Sequence, residues 1–253
     1  MMDVSDEQRA RYARNLLLPG FGEAGQERFF RARVLVVGLG GLGSPVAYYL
    51  AAAGVGVLGL LDFDTVEVSN LQRQVLHSTD RVGMNKVDSA ARTLSDLNPD
   101  VRLELVRERL TRENAQDFFR PYDVVVEACD SFAAKYIVND ACLALGKPFA
   151  TAGVSEWSGQ ALFVVPGRTA CLRCAVPAEP PAPAAPFGIL GAVPGVLGGI
   201  EALEALRYLA GRWTPRADGA GLLHVMDGTT MRLRTMLLPP RGECACRIAD
   251  CRL

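Results

Sequence analysis

The chain has 253 residues, 49% of them hydrophobic, with 27 Lys and Arg against 28 Asp and Glu and a net charge of −1. That length suits one large α/β domain with a sizeable core. The charge balance leaves no basic field for nucleic acid, no apolar run reaches the ~18 residues of a membrane-spanning helix, and the polar, acidic start is unlike a signal peptide. A cytoplasmic protein that meets neither nucleic acid nor membrane is expected. Seven cysteines in that reducing setting point to a metal or to catalysis rather than disulfides.

In chain order, residues 3–14 read as a short helix with Ser5 and Asp6 near its start. Gly20, Gly22 and Gly25 break the next stretch, and Gln26–Arg31 forms a helical turn. Val34–Val37 run without alternation, as in a strand buried on both faces. Gly38, Gly40 and Gly43 follow in the spacing G-x-G-x-x-G. An apolar, Ala-rich helix then runs from Ser44 to Ala53, with Ser44 as cap and Pro45 at its first position. Strand, glycine turn and helix N-terminus together make an anion site, because backbone N–H groups point outward and no Cβ blocks a phosphate. Asp62 ends a second apolar strand, Val55–Leu61, about twenty residues later, where a ribose-binding acid belongs.

The stretch Phe63–Gln74 is polar and lies just past the C-terminal end of that strand, where ligands bind in open α/β sheets. Val87, Ala90, Ala91, Leu94 and Leu97 mark a helix over Asn85–Leu97, with Lys86 in its first turn. A strand over 102–106, a helix over 111–119 and a buried strand over 123–127 follow, and Ala128-Cys129-Asp130-Ser131 opens another helix. This alternation predicts a Rossmann-like, doubly wound parallel sheet. The second half differs. Strands over 149–154 and 160–165 flank a turn at Trp157-Ser158-Gly159. After Cys171-x-x-Cys174 comes a Pro- and Ala-rich surface crossover loop over 176–188, then a Gly-rich helix over Ala192–Leu209. Strands over 222–226 and 230–237, close in sequence, continue the sheet as antiparallel strands before a Cys-rich tail. No linker divides the chain, so 1–253 is expected to be a single unit.

Two constellations carry chemistry. Gly41, Asp62, Asn70, Arg73, Lys86 and Asp130 would gather at one edge of such a sheet. Arg and Lys beside a phosphate loop suit phosphoryl or nucleotidyl transfer, and Asp130 suits Mg²⁺, a hard cation that takes carboxylate and phosphate oxygens. Any one of these charges alone would be an ordinary surface residue. Cys171 and Cys174, with two of Cys244, Cys246 and Cys251, form the pattern of a closed structural zinc site, the second pair being open between C-x-C and C-x₄-C. Cys129 and Cys142 read as core residues. His77 and His224 stand without a metal or dyad partner and read as structural or surface residues.

Arg11-Tyr-Ala-Arg14-Asn, Gly38-Leu-Gly-Gly-Leu-Gly43, Asp62-Phe-Asp64-Thr-Val66, Ser69-Asn70-Leu71-Gln72-Arg73-Gln, Gly83–Lys86, Cys129-Asp130 and Cys171-x-x-Cys174 together resemble the MoeB/ThiF/HesA group, bacterial relatives of ubiquitin-activating enzymes. The resemblance spans almost the whole chain and is nearest the MoeB branch. It implies ATP-dependent adenylation of a small ubiquitin-like sulfur carrier ending in Gly-Gly, with a separate sulfur donor completing a thiocarboxylate for molybdopterin or thiamine. It also implies that Asp62 takes the ribose hydroxyls and that Asn70, Arg73 and Lys86 hold the phosphates. Gly38, Gly40, Gly41, Asp64, Ser69, Leu71, Gln72 and Ser131 would contact the nucleotide, Asp130 would bind Mg²⁺, and Arg14 would reach the partner subunit's γ-phosphate in a homodimer. Residues 31–150 would form the nucleotide-binding half, and 151–253 the zinc- and carrier-binding half. Three departures stand out. Ser131 replaces the usual Asn, the second cysteine pair is not C-x-x-C, and no cysteine lies between Val176 and Ile200, which favours an enzyme that stops at the adenylate. The glycines and Asp62 also fit an NAD-dependent oxidoreductase, which leaves Arg73, Lys86 and Asp130 without a role. A non-catalytic binder of a ubiquitin-like partner would not need the phosphate-site residues.

Overall fold

The computed structural model describes residues 5–181, 187–242 and 244–246. Two short helices, α1 (Asp6–Arg11) and α2 (Ala13–Leu16), and a longer α3 (Gly22–Arg31) precede strand β1 (Arg33–Val37). Ser5 starts α1 with a capping box to Gln8. The single helix expected over 3–14 is divided at Tyr12, whose buried hydroxyl accepts a hydrogen bond from Asn98 Nδ2 at 2.8 Å. The expected break at Gly25 does not occur. Phe21 folds its ring back over α3 where a side chain at position 25 would stand, so glycine is accommodated inside the helix.

From β1 the chain alternates through α4 (Gly43–Ala53), β2 (Val57–Leu61), α5 (Lys86–Leu97), β3 (Arg102–Val106), α6 (Ala115–Phe119), β4 (Val124–Glu127), α7 (Phe132–Leu145) and β5 (Phe149–Ser155). These five strands are parallel in the order β3-β2-β1-β4-β5. Leu35 of β1 lies between Gly59 of β2 and Val125 of β4. Even-numbered residues of β1 pack under α4 and α5, through Val46, Leu50, Val87, Ala90 and Leu94. Odd-numbered ones pack under α6 and α7, through Phe119, Val138 and Cys142. A strand covered on both faces has no use for polar alternation, which is why Val34–Val37 reads as one apolar run.

Strand β6 (Ser158–Val164) turns the sheet antiparallel. After α8 (Leu172–Ala175) and α9 (Ala192–Leu209), β7 (Gly221–Asp227) and β8 (Arg232–Leu238) extend it to eight strands among the described residues. The sheet is thus doubly wound and Rossmann-like, parallel in its first half and antiparallel in its second. The β5–β6 turn falls at Glu156-Trp157, one residue earlier than expected, with Glu156 at φ 53. Glu156 also exchanges backbone hydrogen bonds with Gly188 and Leu190, which brings the end of the crossover stretch back over this hairpin. Residues 182–186 of that stretch lie outside the described residues. Among the described residues no helix is long and apolar enough to cross a membrane.

The connections from β1 and β4 leave in opposite directions along the sheet. A crevice therefore opens at the C-terminal ends of these two strands, as at the ligand sites of open α/β sheets.

Candidate functional site

The crevice floor is the turn from β1 into α4. Gly38 has φ 92, and a Cβ on it would stand 2.8 Å from the Ala128 carbonyl at the end of β4. A Cβ on Gly43 would strike the Gly38 carbonyl itself. Ser44 is not the cap expected. Helix α4 begins at Gly43 without a side-chain cap, and Ser44 Oγ instead donates to the Gly40 carbonyl (2.7 Å) and accepts from Leu76 N–H (3.3 Å). The serine thereby holds the glycine turn against the loop that follows β2.

Asp62 follows β2 directly, beside this turn. Its Oδ2 accepts from Leu39 N–H at 2.7 Å, and its Oδ1 accepts from Asp64 N–H at 2.9 Å. The loop then runs through a 3₁₀ turn, Val68–Asn70. Here Asn70 accepts the backbone N–H groups of Arg73 and Gln74 through its own carbonyl, and Arg73 donates Nη1 to the Ser69 carbonyl at 3.1 Å. The Arg73 side chain passes beside Gly41, within 3.4 Å of where a Cβ would stand there. Asn85 caps α5, so Lys86 occupies its first turn and donates Nζ to Asp64 Oδ2 at 3.1 Å. A lysine side chain only 8% exposed at a helix N-terminus sits in positive potential. Asp64 offsets part of that potential, and an anion bound above would offset the rest.

Gly38, Gly40, Gly41, Asp62, Asp64, Arg73 and Lys86 therefore come together, with Ser69, Asn70, Leu71 and Gln72 in the adjoining turn. Asp130 and Ser131 occupy the next loop, between β4 and α7, whose Ala128 packs on Gly38. Ser131 is the N-cap of α7, accepting from Ala134 N–H. Asp130 is exposed and, among the described residues, has no hydrogen-bond or ion-pair partner. Arg14 is elsewhere. Its neighbour Asn15 bonds Gln26, which bonds the Ala53 carbonyl at the far end of α4. The 11 residues of α4 separate that end from the glycine turn, a span of about 16 Å.

Several residues of the crevice carry no spacing signal. His77 is buried between the Leu39 carbonyl (Nε2, 2.9 Å) and Ser89 Oγ (Nδ1, 3.0 Å), and its burial lowers its pKa. It is structural, as read, yet it grips the glycine turn directly. Helix α9 closes the opposite wall, with Pro194 beside Gly41 and Gly191 against the Gln72–Arg73 backbone. Behind Asp130 lie buried Glu127, Lys135 and Glu201. The sole cue to them is that each interrupts an otherwise apolar run.

The sulfur atoms of Cys171, Cys174, Cys244 and Cys246 all lie within 4.8 Å of one another. Cys171–Cys244 is 3.4 Å and Cys174–Cys246 is 3.6 Å, close to the ~3.8 Å edge of a tetrahedron with 2.3 Å zinc–sulfur bonds. Cys251, the alternative fourth residue, lies outside the described residues. Cys142 is buried in the core; Cys129 is half-buried beside Val37.

Residues 12–248 match the ThiF family, and the chain belongs to it. It is 49% identical over 181 residues to the sulfur carrier protein adenylyltransferase of Thermus thermophilus, covering 70% of this chain and 67% of that one. It is 48% identical over 158 residues to the probable adenylyltransferase/sulfurtransferase MoeZ of Mycobacterium tuberculosis, covering 62% of this chain. The chain spans only about 40% of MoeZ's length. The likeness is to the ThiF/MoeB-like family and not specifically to its MoeB branch. In fold, it superposes on E. coli MccB crystallised with ATP at a TM-score of 0.81, with 23% identity over 94% of this chain and 74% of that one.

His77 carries a pH signature. Its folded pKa lies below the unfolded 6.5, so the unfolded chain binds the extra proton between those values. Stability is full above pH 6.5 and falls as pH drops toward the folded value, by at most ~1.4 kcal/mol per pH unit from this group. Urea titrations from pH 7.5 to 5 should show a shallower loss in His77→Gln than in the parent. An identical slope would remove His77 from the balance.

Proposed function

We propose that this protein is an ATP-dependent adenylyltransferase acting on the C-terminal carboxylate of a small ubiquitin-like sulfur carrier ending in Gly-Gly. One observation carries the reading: a glycine-rich turn, a ribose-side carboxylate, Arg73 and Lys86 share one crevice beside Asp130. The relatives' names, adenylyltransferase in each case, support the activity. Two cations beside the turn favour a triphosphate, with pyrophosphate as leaving group, over a dinucleotide.

In this reading ATP is a co-substrate. The backbone of Gly38–Gly43 takes its phosphates, Asp62 its ribose hydroxyls, and Asn70, Arg73 and Lys86 the charge that grows on the β- and γ-phosphates. Asp64, Ser69, Leu71, Gln72 and Ser131 border the nucleotide. A carrier carboxylate oxygen attacks the α-phosphorus, the bond to the β-phosphate oxygen breaks, and acyl-adenylate and pyrophosphate form. The exposed, unpartnered Asp130 carboxylate fits Mg²⁺, which would supply charge neutralisation. A separate sulfur donor would then consume the adenylate, for molybdopterin or thiamine synthesis, in the cytoplasm. Arg14, a helix length from its own glycine turn, serves the partner's site in a homodimer. Residues 31–150 act as the nucleotide half and 151–253 as the carrier half of one unit. The four clustered thiols fit Zn²⁺ held by thiolates alone, which leaves no open position for water and makes the metal structural.

ATP–pyrophosphate exchange with Gly-Gly-terminated carriers tests the activity. Arg73→Ala and Lys86→Ala should each lower exchange by ~10²–10³, the usual loss for one electrostatic stabiliser, with the fold intact. Parent rates in both would exclude them from the site, and absence of exchange with every carrier would defeat the function.

Mixing Arg14→Ala with Asp130→Ala chains should restore about a quarter of the sites, since each heterodimer rebuilds one of two. No recovery after demonstrated subunit exchange would return Arg14 to its own subunit.

Metal analysis should find one zinc per chain. Cys174→Ser and Cys244→Ser should release it and lower the melting temperature, while Cys251→Ser should be silent. Full zinc in Cys174→Ser would dismiss the site.

A further inference from the structure

Glu127, the last residue of β4, is fully buried, and Lys135, one turn into α7, has a side chain only 8% exposed. Glu127 Oε1 accepts from Cys129 N–H (2.7 Å) and Lys135 Nζ (3.1 Å). Its Oε2 accepts from Lys135 Nζ (2.9 Å) and from the hydroxyl of Thr151, its ladder partner on β5 (2.5 Å). Lys135 Nζ also donates to the Ala152 carbonyl at 2.5 Å. An ammonium has three protons, and these three acceptors use them all, so none remains for a ligand. Glu201 reaches toward the same pair from α9. Among the described residues its carboxylate oxygens have no hydrogen-bond partner, and burial drives it toward the neutral acid, which leaves the Lys135 charge to Glu127.

Among the described residues, every hydrogen bond to the Glu127 carboxylate comes from the 128–131 turn, α7 or β5. The turn is tied at five places: Ala128 N–H and the Cys129 thiol to the Val37 carbonyl, Cys129 N–H to Glu127, Ala134 N–H to Ser131 Oγ, and Lys135 N–H to the Ser131 carbonyl. Asp130, at its apex, has no hydrogen-bond or ion-pair partner among the described residues. A buried ion pair is seldom the most stable filling for such a space, and an apolar pair would pack as well. Its distinctive property is direction, because charge-assisted hydrogen bonds hold a narrow geometry.

We infer that the Glu127–Lys135 pair, braced by Thr151, is a positioning device that aims Asp130 at the divalent cation accompanying the nucleotide. Glu127 and Lys135 touch neither nucleotide nor metal; they act through the Cys129 peptide. The inference rests on the reading of Asp130 as the metal carboxylate.

The probe is Mn²⁺, titrated by electron paramagnetic resonance into the 253-residue chain saturated with a non-hydrolysable ATP analogue. Loss of a group that orients a metal ligand typically weakens affinity 10–100-fold. Lys135→Met, and the charge-neutral double variant Glu127→Gln/Lys135→Met, should bind Mn²⁺ at least tenfold more weakly. Their pyrophosphate exchange should need correspondingly more Mg²⁺ for half-maximal rate, with the rate at saturating Mg²⁺ nearly restored. Lys135→Arg, which keeps the charge, should recover most of the affinity. A purely structural role would lower the amount of folded protein and leave the affinity of the remainder unchanged; that result in the double variant overturns the inference. Should the double variant not fold, Thr151→Val, which removes one brace without a charge, must weaken Mn²⁺ in the same direction, and parent affinity there overturns the inference equally. Asp130→Ala separates the two levels. Parent Mn²⁺ affinity in that variant defeats the Asp130 reading and the inference with it, whereas a lost site there combined with parent affinity in the Glu127 and Lys135 variants defeats the inference alone.

Discussion

Between Gly38 and Gly43 the chain turns from β1 into α4 so tightly that the Gly38 carbonyl fills the place of a Cβ on residue 43. The rest of the crevice is assembled on that contact. Asp62 holds the turn by Leu39 N–H, His77 holds it by the Leu39 carbonyl, and Ser44 holds it by the Gly40 carbonyl. Each of these groups also anchors a different part of the segment 62–89: Asp62 through Asp64, Ser44 through Leu76, His77 through Ser89. A long polar loop is thus given one conformation by its attachments to a glycine turn, and Arg73 and Lys86 take their places from it.

The electrostatics follow from the same arrangement. Two helix N-termini, those of α4 and α5, open near the crevice, and Lys86 sits in the first turn of the second. Two protein carboxylates oppose that potential: Asp62, buried against the Leu39 N–H, and Asp64, which is half-exposed and shares its screening with water. On the β4 side the charges are carboxylates: Asp130 at the surface and Glu127 beneath it, the latter neutralised by Lys135. Anionic groups at the turn and a cation at Asp130 would be complementary to this division.

The second half of the chain supplies the walls. Helix α9 packs along α4 and against β5 and β6, and its first turn meets Gly41 and Arg73. On the other face of the sheet the cysteine cluster joins α8 to the segment after β8, next to the core under α7. The antiparallel strands therefore do more than widen the sheet. They carry α9 and the thiols to opposite faces of it.

Much of this was legible in the amino-acid order alone. The apolar run Val34–Val37, the glycine spacing, Asp62 and the 3.6-residue period of α5 are local patterns, each set by the backbone of its own element. Helix α9 runs over Ala192–Leu209, as its composition predicts. Other features depended on chain segments far apart in sequence. Ser44 reads as a cap because local propensity favours it there, but Leu76, 32 residues away, claims its hydroxyl. Gly25 reads as a break because its glycine role is conformational in isolation, while in the fold it makes room for Phe21. The fourth cysteine could not be chosen from spacing, since Cys244 and Cys251 both reach; the packing of the tail against α8 brings Cys244 to Cys171. Glu127 and Lys135 each look like a lone charge in an apolar run, and only the approach of α7 to the ends of β4 and β5 turns them into a pair. Sequence determined what each element is, because periodicity and turn chemistry act over a few residues. Tertiary structure decided which buried polar groups meet, because burial compels each to find a partner and the partner can lie anywhere along the chain.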